Sequence, residues 1–310
     1  MIPAYLKLKH LDLIFLKEKA LGLLEDCHLC PRNCGVNRLA SETGYCRAGR
    51  KARIASYSPH FGEEAPLTGE YGSRTIFFSY RNLRCSFCQN YDISCNGEGS
   101  ELEPEQIASI ILTLANGYKC HNINFVTPTH VVPQMIEALV LAIEQGLDVP
   151  LVYNSSGYDS IETLQLLDGI FDIYMPDFKF WDHKMSEKYC NASDYREVAT
   201  VAIMEMHHQV GDLVLDNKGI ATKGILLRHL VMPNDVSSTE NILRFIKNEV
   251  SMDTYINIMG QYRPCGTANT DEIINRRLTI KEYQDAILMA KKIGLTRLDS
   301  RHGSRLMVGI

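Results

Sequence analysis

The chain has 310 residues, of which 45% are hydrophobic and 22% are charged. This composition can bury a substantial core and is too apolar for a disordered protein. The formal net charge of −5 gives no basic field for phosphate backbones, which argues against nucleic-acid binding. Lys7, Lys9 and Asp12 interrupt the apolar residues of the amino terminus, and no later apolar run is long enough to cross a bilayer. We therefore expect a cytoplasmic protein that does not interact with membranes.

The first 70 residues combine a predicted helix at 11–24 with a cysteine-rich segment that is typical of loops. We expect them to form an N-terminal metal-binding-like unit, followed by a domain at 71–310. Seven of the ten cysteines lie between Cys27 and Cys95, and in a reducing compartment such crowding indicates metal or redox chemistry. Four of them have spacings that suit zinc or a second iron–sulfur cluster: Cys27, Cys30, Cys34 and Cys46. The alternative is a set of four free or buried thiols.

After residue 70, short apolar segments alternate with amphipathic segments of helical length. The predicted strands are 75–79, 122–126, 150–153, 171–174, 224–231 and 255–258. Ser237 and Glu240, and likewise Thr279 and Glu282, have the spacing of a capping box at a helix start. Strict alternation predicts an α/β fold with a parallel sheet, either a partial (β/α)6 TIM-like barrel or an open doubly wound sheet. Polar residues follow nearly every strand, and only a barrel brings all those loops to one rim, which favours the barrel.

A second cysteine pair, Cys85 and Cys88, follows the first predicted strand in the run FFSYRNLRCSFCQN at 77–90. This run resembles the cluster loop of radical S-adenosylmethionine (SAM) enzymes, which carry CxxxCxxC after the first barrel strand. Further blocks of similarity occur in order along the chain: CHLCPRNCGVNR, NFVTPTHVVPQ, YNSSGYDS, DIYMPDFKFWD, RHLVMP and NIMGQYRPCG. Together they resemble the branch related to pyruvate formate-lyase activating enzyme.

The resemblance implies a [4Fe–4S] cluster on Cys85 and Cys88 and an enzyme that cleaves SAM reductively and abstracts hydrogen from a glycine of a protein substrate or from another substrate. A flavodoxin or ferredoxin would supply the electron. The resemblance names no catalytic residue. It assigns SAM contacts to residues of the cluster loop and of later strand ends: Phe87, Asn90, Thr127, Thr129, Asn154, Asp177, Lys179 and Arg228. Convergence on one rim predicts that Cys85, Cys88, Thr127, Asn154, Asp177 and Arg228 face one cavity.

Arg81 stands where the family motif has its first cysteine, and Tyr80 stands where a glycine is usual. A guanidinium has no acceptor and stays cationic, so it cannot replace a thiolate. This predicts a poorly held cluster. Cys95 could supply the missing thiolate from the far side of the loop, but its sequence context favours an ordinary loop residue. Two alternatives are a degenerate member of the family that binds a metal or a partner, and a zinc protein. We interpret Cys120, Cys190 and Cys265 as buried apolar residues.

Overall fold

A computed structural model describes residues 2–117 and 120–299, so 300–310 of the predicted second domain lie outside the described residues. Its centre is a sheet in which six parallel strands are neighbours in chain order, β2–β4–β5–β6–β8–β9. Helices connect successive strands of this set. The predicted α/β partial (β/α)6 barrel is therefore confirmed, with all six predicted strands present. In the described part of the chain β9 pairs with β8 and makes no ladder with β2, so the barrel is open.

The strands are β1 (Ala52–His60), β2 (Ser73–Phe78), β3 (Ser100–Leu102), β4 (Ile123–Val126), β5 (Leu151–Ser155), β6 (Ile173–Pro176), β7 (Val214–Leu215), β8 (Ala221–Leu230) and β9 (Tyr255–Met259). The helices are α1 (His10–Gly22), α2 (Ala65–Thr68), α3 (Pro104–Gly117), α4 (Val132–Glu144), α5 (Ile161–Leu166), α6 (His183–Cys190), α7 (Tyr195–Val210), α8 (Thr239–Phe245) and α9 (Ile280–Ile293).

Side chains alternate between the two faces of each parallel strand, and the two faces differ in character. One face packs against the helices and carries the main core, to which Phe125, Tyr153 and Tyr174 belong. The opposite face, which is the inner face of the open barrel, carries a smaller apolar cluster that includes Val152, Met175 and Leu226. Leu67 of α2 covers this cluster. By alternation, the inner-face residue that follows Val152 is Asn154, the one that follows Met175 is Asp177, and the one that follows Leu226 is Arg228.

The first 60 residues contribute to the same body. Strand β1, which the sequence did not predict, pairs antiparallel with β2 on one side and with β3 on the other. Helix α1 packs against α4, and its Leu13 belongs to the main core. The division into units at 1–70 and 71–310 stays a prediction. No helix within the described ranges is both long and apolar enough to span a membrane.

Helix α9 begins as predicted, with Thr279 and Glu282 forming a capping box. The capping box predicted for Ser237 and Glu240 is wrong. Helix α8 begins one residue later, and its N-cap residue makes no side-chain cap bond. Instead, Asp235 Oδ1 accepts a hydrogen bond from Thr239 N at 2.9 Å, so a carboxylate four residues upstream satisfies this end of the helix.

Candidate functional site

A polar network joins the carboxyl ends of β5, β6 and β8 on the inner face of the barrel. Arg228 Nη2 donates to Asn154 Oδ1 at 2.7 Å, and Arg228 Nε donates to Asp177 Oδ1 at 2.8 Å. Lys179 Nζ donates to the other carboxylate oxygen of Asp177 at 2.5 Å. Four residues predicted from three strand ends therefore lie together, as expected when loops after parallel strands share one rim.

The charges in this network stabilise one another. Burial alone would raise the pKa of Asp177, but the cations of Arg228 and Lys179 hold that pKa below its ordinary value. Burial opposes the charge of Lys179, yet Asp177 raises the pKa of Lys179, and Asp177 with Glu64 and Glu63 raises that of Arg228. All three side chains are less than one-fifth exposed, so the ion pairs are only partly screened by solvent.

Two carboxylates that the sequence analysis missed lie behind Arg228. Arg228 Nη1 is 3.9 Å from Glu63 Oε2 and 3.9 Å from Glu64 Oε1, and Asn257 Nδ2 donates to Glu64 Oε1 at 2.9 Å. Glu64 Oε2 is buried without a hydrogen-bond partner among the described residues. Burial raises the pKa of Glu64 to about 7 although Arg228 lowers it. The inner face therefore contains an acidic group that titrates near neutral pH.

The loop that carries Cys85 and Cys88 interacts with this network electrostatically, since Lys179 and Asp177 both act on Cys85. Cys85 Sγ lies 3.2 Å from Cys190 Sγ, and Ser86 N donates to Tyr189 O at 2.8 Å, which fastens the loop to the end of α6. The contact with Cys190 lowers the pKa of Cys85 to about 7 against the effect of burial, and Lys179 and Arg81 lower it further. Cys190 is fully buried, as predicted, but its proximity to Cys85 was not predicted.

Cys88 lies on the other side of the same loop. Ser94 Oγ is 3.1 Å from Cys88 Sγ and 3.7 Å from Cys95 Sγ. A cavity of about 430 Å³ opens beside the loop, and the described residues that line it include cations and thiols but no carboxylate. Its lining includes Cys46, Arg47, Arg81, Arg84, Cys85, Cys95 and Lys188. Cys85 lines this cavity, while the other five residues expected to share a cavity with it are not among its described lining residues. A single cavity for all six stays a prediction.

The remaining predicted SAM residues lie in different surroundings. Thr127 follows β4 with a φ of +57°, and its N–H donates to Asn154 O at 2.7 Å, so it borders the network. Thr129 is fully buried and donates to Asp159 Oδ1 at 2.6 Å. Asp159 also accepts from Ser155 Oγ, and the carbonyl of Ser155 accepts from Asp177 N at 3.1 Å. Phe87 is buried against Phe180 and Tyr262, and Asn90 is exposed.

The four N-terminal cysteines line one small cavity, together with Arg38 and His130. Arg38 is buried, and its Nη1 lies 3.8 Å from Cys27 Sγ and donates to His130 O at 2.9 Å. Burial raises the pKa of Cys30 to about 12 and also raises that of Cys46. Across residues 2–117 and 120–299, no three Cys, His, Asp or Glu side chains are placed to hold a single metal ion. A zinc or second-cluster site at these cysteines therefore stays a prediction.

No known family model matches the chain. Its sequence is 33% identical over 301 residues to the uncharacterized protein MJ0674 of Methanocaldococcus jannaschii, and the alignment covers 94% of this chain and 81% of that protein. The uncharacterized protein MJ0808 of the same organism is 25% identical over 253 residues, which cover 74% of this chain and 68% of MJ0808.

Three solved structures show weaker likeness. Methylornithine synthase (PylB) has a TM-score of 0.47 at 16% identity and covers 73% of this chain and 70% of its own. TYW1 with a bound lysine-pyruvate adduct has a TM-score of 0.43 at 11% identity, covering 73% and 76%. QueE from Escherichia coli has a TM-score of 0.40 at 12% identity, covering 73% and 89%. At these TM-scores the likeness says nothing about activity.

Proposed function

This chain belongs to the family of the Methanocaldococcus jannaschii protein MJ0674, and we propose that it is a radical SAM enzyme. The observation that carries the proposal is the convergence of the CxxC loop with three later strand ends. Lys179 acts electrostatically on Cys85 and donates to Asp177, and Asp177 shares Arg228 with Asn154. Four of the eight residues that the sequence resemblance assigns to SAM form this network, and its charges act on Cys85, which supports the proposal.

The donor set of the loop fits an iron–sulfur cluster in chemical type. Cys85 and Cys88 offer thiols, which are the protein ligands of such clusters. Lys179 and Arg81 lie near Cys85, and these cations favour the thiolate form that a metal requires. When bound, a [4Fe–4S] cluster would supply the electron for reductive cleavage of SAM. The loop itself would hold the cluster and limit the access of water to it.

The network beside Cys85 matches the charges of SAM. The methionine part of SAM carries a carboxylate and an ammonium group, and its ribose carries two hydroxyls. Arg228 and Lys179 provide the cations that a carboxylate requires, while Asp177 and Asn154 provide acceptors for ammonium and hydroxyl hydrogens. These side chains already hold one another in place, so little ordering is needed on binding.

The substrate follows from the sequence resemblance alone. We assign the chain to the type of pyruvate formate-lyase activating enzyme, with hydrogen abstraction from a glycine of a protein partner or from another substrate. A flavodoxin or ferredoxin is the corresponding electron donor. The alternative is a degenerate member that binds a metal or partner without cleaving SAM, and the presence of Arg81 in the wall of the loop cavity favours it.

The test is the release of 5′-deoxyadenosine from SAM by anaerobically reconstituted protein with dithionite, measured by liquid chromatography and mass spectrometry. We expect product from the parent and none from the Cys85→Ser, Cys88→Ser double variant. Cys120→Ser is the matched control, because Cys120 precedes β4 at the opposite end of the barrel and contacts Tyr71 O. A parent that retains a full cluster and releases no 5′-deoxyadenosine would contradict the proposal and support the degenerate alternative.

A further inference from the structure

We propose that Cys95 supplies the third thiolate of the cluster, in place of the cysteine that position 81 lacks. The inference rests on the proposed function, since it concerns the same cluster. It departs from the sequence analysis, which favoured an ordinary loop role for Cys95. The structure brings Cys95 back to the start of the loop, next to the position from which the ligand is missing.

Backbone hydrogen bonds fix this return. Tyr80 N donates to Ile93 O at 3.0 Å, so the segment that carries Cys95 is joined to the residue before Arg81. Residues Asp92–Asn96 form one turn of π-helix, and the next residue, Gly97, has a φ of +72°. A π-helical turn is rare and often marks a functional site. The sequence could not show this, because the excursion from Cys88 to Cys95 has no motif that predicts its path.

Ser94 places the sulfur of Cys95 near that of Cys88. Both sulfurs contact Ser94 Oγ, at 3.1 Å for Cys88 and 3.7 Å for Cys95, so the two sulfurs are at most about 7 Å apart. The ligand sulfurs of a cubane bind different irons and therefore need not converge on one point.

The wall of the loop cavity distinguishes Cys95 from Cys190, the other thiol near the loop. Cys85 and Cys95 both line the cavity of about 430 Å³. Cys190 is fully buried behind Cys85 and, among the residues described, is not part of this lining. A group that enters the cavity therefore reaches Cys85 and Cys95 without rearrangement of α6.

Arg81 suits a cluster that is held in this way. A cubane with three thiolates carries net negative charge, and a cation in the same cavity lowers the energy of that charge. Arg81 lines the cavity, and its Nε is buried without a hydrogen-bond partner in the described part of the chain. With Cys95 as the third ligand, Arg81 is a neighbour of the cluster and no longer a defective ligand.

The experiment measures iron and sulfide per chain, visible absorption and the electron paramagnetic resonance of the reduced protein after anaerobic reconstitution. We expect about four irons in the parent. In Cys95→Ser we expect the iron content to fall about fourfold or more, with loss of the cubane resonance. In the double variant Arg81→Cys, Cys95→Ser the iron should return, because the family position then supplies the thiolate. Cys190→Ser and Cys120→Ser should keep the iron of the parent.

The outcomes separate this inference from the proposed function. Full iron in both the parent and Cys95→Ser would overturn the inference and leave the cluster in place. Iron absent from the parent but present in Arg81→Cys would also overturn the inference, because position 81 would then be the required ligand. Iron absent from the parent and from Arg81→Cys would overturn the proposed function, and the inference with it. Equal thermal midpoints of the unreconstituted variants would show that misfolding does not cause the loss.

Discussion

Glu64 is a carboxyl group that the fold keeps out of water at the inner face of the barrel. Its side chain is 3% exposed, one oxygen accepts from Asn257, and the other has no hydrogen-bond partner among the described atoms. Burial raises the pKa of Glu64 from an ordinary 4.5 to about 7, although Arg228 opposes the rise. The folded protein therefore keeps this proton over a pH range in which the unfolded chain releases it.

This difference predicts the pH dependence of stability. Because folding raises the pKa of Glu64, its contribution to the unfolding free energy is fully present below pH 4.5 and is lost as pH rises through 7. Glu64→Gln removes this titration. The unfolding free energy of the variant, relative to that of the parent, should therefore rise by roughly 3 kcal/mol as pH increases from 4.5 to 8. Urea unfolding at several pH values measures the difference. The exposed Glu272→Gln is the control, and a constant Glu64→Gln difference across this range would contradict the prediction.

At the scale of elements, the two ends of the loop that carries Cys85 and Cys88 pack on each other through Tyr80 and Gly97. Tyr80 has a φ of +66°, in the left-handed region that favours glycine, and Gly97 has a φ of +72°. A Cβ at position 97 would overlap the Tyr80 ring. The Tyr80 ring therefore occupies space that only a glycine at 97 leaves open. We call this contact between Tyr80 and Gly97 the closure of the loop.

A double-mutant cycle tests this closure. Gly97→Ala should destabilise the parent by about 2 kcal/mol, because it adds backbone strain and displaces the Tyr80 ring. In a Tyr80→Gly background only the strain remains, and the cost should fall to about 1 kcal/mol. Denaturant unfolding of the four proteins gives the coupling energy. Equal costs in the two backgrounds would show that the ring is not held against Gly97.

The same scale shows how far the sequence could predict the fold. The six parallel strands were predictable, since each is an apolar run bounded by turn residues and followed by a polar group. Strand β1 was not, because three consecutive residues in its middle are exposed, starting at Ser56, and it contains Pro59, so its pattern is typical of a loop. Its ladder depends on β2 and β3, which no local signal reveals.

For the site, the sequence could predict the residues that follow strands but not those brought in by distant contacts. Asn154, Asp177 and Arg228 follow or end strands, and they meet as parallel strands require. Glu64 binds Asn257 across 193 positions, and Cys85 meets Cys190 across 105 positions. Neither pair has a spacing that a motif could reveal. Thr129, two positions after Thr127, donates to the buried Asp159, a contact that no motif predicts, and its assignment to SAM stays a prediction.

At the scale of the whole molecule, the amino-terminal residues fasten the barrel at the end opposite the site. Asp172 precedes β6, and its carboxylate accepts from Ala4 N at 2.8 Å and from Leu151 N at 3.1 Å. Tyr5 OH donates to Val149 O at 2.9 Å beside this bridge. One carboxylate therefore ties the start of the chain to the amino ends of two central strands.

This arrangement predicts that stability and site chemistry can be separated. Asp172→Ala leaves two backbone N–H groups without their acceptor, and Leu151 N is buried, so unfolding free energy should fall by about 2–3 kcal/mol. Asp172→Asn keeps one acceptor and should cost about half as much. Urea unfolding measures both, and limited proteolysis should cut Asp172→Ala faster near residue 8. Because Asp172 lies at the amino ends of the strands, iron content after reconstitution should stay at the parent level. A parallel loss of iron in the folded variant would show instead that the two ends of the barrel are coupled.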